Sequence, residues 1–195
     1  MVESALQLTL APSPTAWVDC VLSEFDHFLS DHASCEKKAS GMALSVASHY
    51  PDKPELLKAM TELAVEELTH YREVIRILLN KGLTPLPDEK DPYIAALNGL
   101  VRRGPENYLL DRLLIGAVVE RRGAERFGLI ANALQDPDLK KFYQSITQSE
   151  ERHWTLFVAL ASNHCLDQPV IPRLEELFSQ EAKIMQSTPI RPALH

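Results

Sequence analysis

A glutamate and a histidine stand three residues apart at Glu67 and His70, in EELTHYRE, and again at Glu150 and His153, in SEERHWTL. On a helix such residues differ by about 60° in direction and ~4.5 Å in height, so each pair can grip one metal ion from one face. A further glutamate precedes each pair, Glu36 before Glu67 and Glu120 before Glu150, and the first of these steps is longer than the second by a single position. Each comes level with its pair if the chain folds back as a helix hairpin. The two triplets are offset by nearly the same length, one position more at their first glutamates than at their ExxH pairs. This weak internal repeat predicts two hairpins related by a pseudo-twofold axis through a shared site.

The rest of the sequence supports hairpins. It holds only 7 glycines and long stretches of Ala, Leu, Glu, Lys and Arg, which favour helix. Four long helical patterns run from Ala16 to His49, Pro54 to Asn80, Glu106 to Leu134 and Asp138 to Asn163. YPDKPEL divides the first two, with Asp52 as the expected N-cap and Pro54 in the first turn; QDPDLKK divides the second two in the same way. The segment Gly82 to Pro105 is too long for a tight turn and contains a short helical piece near Ile94 to Val101, so it reads as a crossover. Two hairpins joined by one long crossover give an all-α, ferritin-like four-helix bundle. A fifth, peripheral helix is predicted after Cys165, and STPIRPALH reads as a tail. With 195 residues and 45% hydrophobic content the chain reads as one domain, with its core over about 16–164 and the C-terminal helix and tail over 165–195.

Four carboxylates and two imidazoles form the ligand set of di-iron carboxylate bundles. Glu36, Glu67, Glu120 and Glu150 carry four negative charges, which two ferrous ions balance when His70 and His153 are neutral. Hard oxygen donors with some imidazole suit iron or manganese better than zinc. Glu24 and His27 also fit ExxH, but helical geometry turns His27 away from Glu36, and they read as a partly exposed pair. Glu66 competes with Glu67 for the face of His70; the second half has Ser149 at the equivalent place, and symmetry selects Glu67. Glu62, Glu73, Glu125 and Glu151 read as solvated or ion-paired. His32, one turn before Glu36, reads either as a support or substrate-side group or as a core or capping histidine. His49 and His164 fall near helix ends and read as structural.

Gly116 and Gly123 flank Glu120 at i−4 and i+3. Each glycine costs a helix ~1 kcal/mol relative to alanine, so the pair needs a compensating reason. One is room for oxygen and an organic substrate at the metals; the other is close helix packing. Ala33, Ala39 and Ser40 flank Glu36 similarly. A metal pair of this kind reduces dioxygen and can place oxygen into a C–H bond. The sequence has no flavin or iron–sulfur motif, so electrons are expected from a separate reductase or ferredoxin.

The net charge of −7 argues against broad nonspecific nucleic-acid binding and leaves a local basic face open. Cys20, Cys35 and Cys165 form no CxxC pair and read as buried or free thiols. The start MVESALQLTL has no basic leader region, and no apolar run approaches the roughly 20 residues of a membrane span, so a cytoplasmic protein is expected.

Four runs carry a closer likeness: FLSDHASCEKKAS, ELAVEELTHYREVIRILLNKGL, YLLDRLLIGAVVERRGAERF and FYQSITQSEERHWTLFVALA. From Trp17 to Glu181 the chain resembles the MiaE family, the tRNA-(2-methylthio-isopentenyladenosine) hydroxylases, including the arginine-rich helix around Glu120. The resemblance implies a di-iron centre on Glu36, Glu67, His70, Glu120, Glu150 and His153. It also implies an oxygen-dependent monooxygenase that hydroxylates the isopentenyl group of the modified adenosine beside the anticodon. A tRNA substrate asks for a basic face. Lys37, Lys38, Arg102, Arg103, Arg121, Arg122, Arg126, Lys140 and Lys141 are candidates, and Arg102 and Arg103 in the crossover are preferred for phosphate contact. Arg122 and Arg126 share a face turned away from Glu120. The rival readings are a ferritin- or rubrerythrin-like ferroxidase, a quinone-type di-iron hydroxylase, a hydrolase with a di-metal site, and a helical tRNA-binding or scaffold protein without metal.

Overall fold

The computed structural model describes residues 2–195, and every regular element among them is helical. In chain order these are α1 (Val2–Ala5), α2 (Thr15–Ser23), α3 (Phe25–His49), α4 (Pro54–Asn80), α5 (Pro92–Asn98), α6 (Pro105–Ala133), α7 (Pro137–His164) and α8 (Val170–Ser187). None of them is long and apolar enough to cross a membrane.

Local chemistry sets these boundaries. Proline opens α4, α5, α6 and α7, where its missing N–H costs no hydrogen bond. Asp91 caps α5 by accepting from the N–H groups of Tyr93 and Ile94, and Asp136 caps α7 through those of Asp138 and Leu139. Asp52 does not cap α4: the N-cap residue is Lys53, one position later, and no side chain closes that end. After α4, Gly82 takes φ +74°, and the N–H groups of Gly82 and Leu83 return to the carbonyls of Leu79 and Leu78. That left-handed closure stops the helix without steric cost because glycine has no Cβ.

The pattern from Ala16 to His49 is two helices instead of one. Glu24 leaves helical geometry at φ −130°, ψ 46°, while Ser23 Oγ donates to the Cys20 carbonyl, a local bond that competes with the helix ladder. The chain divides into two compact units, and the division falls within α2.

The first unit, Asp19–Glu89 with Arg191–Leu194, is built on the antiparallel hairpin of α3 and α4. Phe28, Leu29, Ala43, Val46 and Ala47 of α3 and Leu56, Met60, Leu63, Ala64, Val74 and Leu78 of α4 are buried. Ser40 donates across the hairpin to the Ala64 carbonyl. Beyond Gly82 the chain runs along α3: Leu86 N–H donates to Ser30 Oγ, Ser34 Oγ to Asp88, and the Lys37 and Lys38 ammonium groups to Asp88 and the Glu89 carbonyl. Residues read as a tail also pack here. Ala193 and Leu194 are buried, and Leu194 N–H donates to Asp31 at 2.7 Å.

The second unit takes the residues up to Val18, Lys90–Ile190 and His195. Its hairpin is α6 with α7; α8 packs against α6 and α7, and α5 against α6 and α8. The predicted short helix is α5, which both starts and ends slightly earlier than expected. The predicted fifth helix is α8, whose inner face buries Leu174, Leu177, Phe178 and Met185. It also buries two charges. Glu181 receives Arg122 Nε at 2.8 Å and Nη2 at 2.9 Å, with the Tyr93 hydroxyl at 2.9 Å on the same carboxylate. Arg173 donates to Asp111, which also holds Arg102. The Arg126 guanidinium lies over the Trp17 ring, 4.7 Å from its centre. His195 stacks on Tyr93 and lies 3.3 Å from Asp91.

Candidate metal centre

Register places the donors. Glu36 lies as far before the end of α3 at His49 as Glu67 lies after the start of α4 at Pro54. At the helical rise of about 1.5 Å per residue both stand about 20 Å from the turn, so they are level in the hairpin. The second unit repeats the spacing without change: Glu120 stands that same interval before Ala133, and Glu150 the same interval after Pro137. The connections are residues 50–53 and 134–136, so the second is shorter by one. That accounts for the single-position difference between the two offsets of the repeat.

In the first unit Glu36 and Glu67 are buried and His70 is nearly so. His70 Nδ1 stands 3.6 Å from Glu36 Oε2 and 3.4 Å from Glu67 Oε2. In the second, Glu120, Glu150 and His153 are all buried, and His153 Nδ1 stands 3.7 Å from Glu120 Oε2 and 3.9 Å from Glu150 Oε1. Within each triplet the donor atoms lie inside 4.8 Å of one another. These separations exceed an ordinary N–H···O bond. They approach the roughly 3.0–3.4 Å between two ligands that each sit ~2.1 Å from a shared ion. The donor set therefore fits a divalent cation in each half.

Electrostatics agrees. Burial penalises the charge on Glu36, yet hydrogen bonds from His32 and His70 outweigh it and hold the carboxyl well below its usual range. Burial likewise opposes a charged His70, but Glu36 and Glu67 reverse that and push its pKa up to about 10. Without metal, a proton on His70 occupies the electrostatic role of a cation. His32, which the sequence left between two roles, is fully buried with Nε2 2.6 Å from Glu36 Oε1. In the other half, Ser149 Oγ is 3.5 Å from His153 Nε2.

The competing acids sit elsewhere. Glu73 pairs with Arg76, Glu125 with Arg122, Glu151 with Arg121 and, at 3.9 Å, Glu62 with Lys58; Glu24 and His27 form an exposed contact at 4.0 Å. His49 and His164 lie in the last turns of α3 and α7. The three cysteines are free thiols, Cys165 buried.

Both glycines beside Glu120 lie against side chains of α7. A Cβ at Gly116 would lie 2.8 Å from the Phe157 ring, and one at Gly123 would lie 3.3 Å from Glu150 Oε2. Gly116 thus permits close packing of α6 on α7, while Gly123 leaves room beside the Glu150 carboxylate. Gly116→Ala is expected to destabilise the fold by about 1–3 kcal/mol through overpacking. Gly41→Ala, at an exposed helical site with open space around its Cβ, is expected to stabilise it by up to about 1 kcal/mol. Urea denaturation of both variants checks the pair; equal effects would remove the packing explanation.

The basic candidates separate clearly. Arg122 and Arg126 are buried in the second unit and cannot reach a polyanion. Arg102 is partly exposed, but its guanidinium and backbone N–H are committed to Asp111. Arg121 lies over Trp154 and pairs with Glu151; Lys37 pairs with Asp88. Arg103 and Lys141 are exposed, and Lys140 is half-buried.

Two hairpins of equal arms, each with a buried Glu and ExxH triplet, define a ferritin-like helical protein suited to a carboxylate–histidine metal centre. A solved structure described as Protein 43 with aldehyde deformylating oxygenase activity, from Synechococcus, superposes with TM-score 0.88 at 32% identity, over 93% of this chain and 90% of that one. The fold is accordingly the all-α, ferritin-like four-helix bundle with an added C-terminal helix. The model of the tRNA-(MS[2]IO[6]A)-hydroxylase (MiaE) family matches residues 1–195, and the chain belongs to that family. A relative from Pseudomonas putida, tRNA 2-(methylsulfanyl)-N(6)-isopentenyladenosine(37) hydroxylase, is 34% identical over 90% of this chain and 85% of its own length. A Salmonella typhimurium protein of the same name is 34% identical over 55% of this chain and 39% of its own length.

Proposed function

We propose that this chain is a tRNA hydroxylase that adds one oxygen atom to the isopentenyl side chain of 2-methylthio-isopentenyladenosine. In this reading Glu36, Glu67, His70, Glu120, Glu150 and His153 hold two iron ions within one ferritin-like domain. The observation that carries the reading is the doubled register of buried donors, equally far from the turn in both hairpins, in a member of the MiaE family.

Two ferrous ions bound there would supply the redox chemistry by which dioxygen oxidises a C–H bond, with electrons from a separate reductase or ferredoxin. The protein's own contribution is charge balance, orientation and dryness. Four buried carboxylates match the charge of two divalent ions. His32 fixes one oxygen of Glu36. Phe157, buried one turn after His153, seats against Gly116 and keeps that flank of α6 apolar. Arg103 and Lys141 are exposed cations suited to phosphate contact, Lys37 and Lys38 are exposed but held to Asp88 and the Glu89 carbonyl, and Arg102 acts through Asp111 as a structural residue. The cytoplasm, where tRNA resides, is the proposed compartment.

The test is to incubate reduced, iron-loaded protein with oxygen and tRNA bearing the modification, then digest the tRNA and weigh its nucleosides. One added oxygen, dependent on both iron and oxygen, is the expected result. An unchanged nucleoside with iron bound and oxygen consumed would reject this substrate in favour of ferroxidase chemistry or another organic substrate. An aldehyde is the first to try, because the Synechococcus protein of like fold is described by that activity.

A further inference from the structure

We infer that His32 makes the two metal positions chemically unequal, by restricting Glu36 to one ligating oxygen while Glu120 keeps both. The inference rests on the two-metal reading above and concerns how each half binds its ion.

Glu36 has its oxygens divided. Oε1 lies 2.6 Å from His32 Nε2, and Oε2 faces His70 Nδ1 at 3.6 Å. His32 is one turn earlier on α3 and fully buried, so neither group can relax into solvent. Its ring stacks at 29° to Phe28, with centroids 6.1 Å apart, which restrains the imidazole plane. A carboxylate oxygen that accepts a short hydrogen bond donates less charge to a metal and is held off it. Glu36 is then a monodentate ligand by construction.

Glu120 is the counterpart of Glu36, and the counterpart of His32 at the same offset is Gly116. No side chain exists there to donate, and a Cβ at that position would meet the Phe157 ring at 2.8 Å. The other neighbours of Glu120 one turn away on α6 are Ala117, Gly123 and Ala124, which also lack donors. Around Glu36 the corresponding residues are Ala33, Ala39 and Ser40, and Ser40 donates to the Ala64 carbonyl. Among these one-turn neighbours, His32 is therefore the feature that breaks the internal symmetry at the two ligands. An ion in the first half has one donor oxygen fewer and keeps an additional coordination position for an exogenous ligand. An ion in the second half is more fully enclosed by protein oxygen.

Cobalt(II) is the probe, because its visible bands are several-fold more intense at lower coordination number. Metal-free protein titrated with cobalt alone is expected to bind two ions per chain with bands of unequal intensity. His32→Leu, which keeps most of the volume and frees Glu36 Oε1 as a second ligating oxygen, is expected to tighten one of the two binding steps several-fold and to leave the other unchanged. In the same variant the stronger band falls toward the weaker one. His32→Gln, whose amide can still donate, is expected to restore the stronger band. Circular dichroism of the metal-free variants reads their folding separately. Two equivalent bands in the unaltered protein would overturn the inference even if His32→Leu failed to fold. Equal tightening of both steps, weakening of either, or no change in folded His32→Leu would overturn it as well. Fewer than two cobalt ions bound by the unaltered protein would instead sink the two-metal reading.

Discussion

Glu67→Ala is expected to remain folded and to lose hydroxylation. Glu67 is buried, and its Oε2 faces His70 at 3.4 Å, so its removal takes a donor from the first half-site. Glu66 precedes it by one position and cannot stand in, being turned about 100° around α4. Changing an outer partner of a metal ligand costs about 10–100-fold in affinity or activity, and deleting the ligand should exceed the top of that range. His153→Ala is expected to do the same from the other hairpin. Metal-free Glu67→Ala keeps Glu36 as a partner for the charged His70 and is expected to fold. Iron content per chain and thermal melts with and without iron check this. Full iron loading in either variant would remove that residue from the ligand set.

Arg122→Met should cost about 3–5 kcal/mol of stability, because it leaves Glu181 charged and buried without its bidentate partner. Tyr93 still donates to that carboxylate but supplies no compensating charge. Burial opposes the Arg122 charge, and the Glu181 carboxylate overrides it, holding the guanidinium more firmly protonated than in water. Adding Glu181→Leu should recover much of the loss, since replacing a whole buried pair by apolar groups is often neutral. Recovery stays partial because Arg122 also donates to Ser13, Glu125 and the Ala11 carbonyl. A double-mutant cycle in urea measures the coupling. A double variant that loses the sum of the two single effects would show that the pair is not energetically linked.

The residues behind these two results differ in how far the sequence exposes them. The clustering of each Glu and ExxH triplet could be read from the sequence because it is encoded locally: three-residue spacing sets the face, and the distance to a proline-marked turn sets the height. The same holds for α4, whose predicted bounds coincide with the observed ones. The Arg122–Glu181 pair was hidden, since its partners are 59 positions apart and each alone resembles a solvated charge on an amphipathic helix. The Arg102 pairing was hidden for the same reason: an arginine in a crossover looks free until Asp111 is placed beneath it. Gly116 was half legible, as its helical cost flagged a purpose that only Phe157, on the following helix, could supply. The break at Glu24 sits between stretches that both favour helix, and the packing of Ala193 and Leu194 depends on Asp31, far upstream. Periodicity is silent on contacts of that range.

The equal arms of the hairpins bear on how such a chain tolerates change in length. One residue inserted within an arm rotates everything beyond it by about 100° and lifts it ~1.5 Å, enough to turn a proposed ligand out of its triplet. One residue inserted in the turn leaves both arms intact. The chain itself displays the contrast: positions 50–53 close one hairpin and the shorter run 134–136 closes the other, while all four glutamates keep the same interval from their turn. Length variation is absorbed at the turn, about 20 Å from the donors, where it has no leverage on the chemistry.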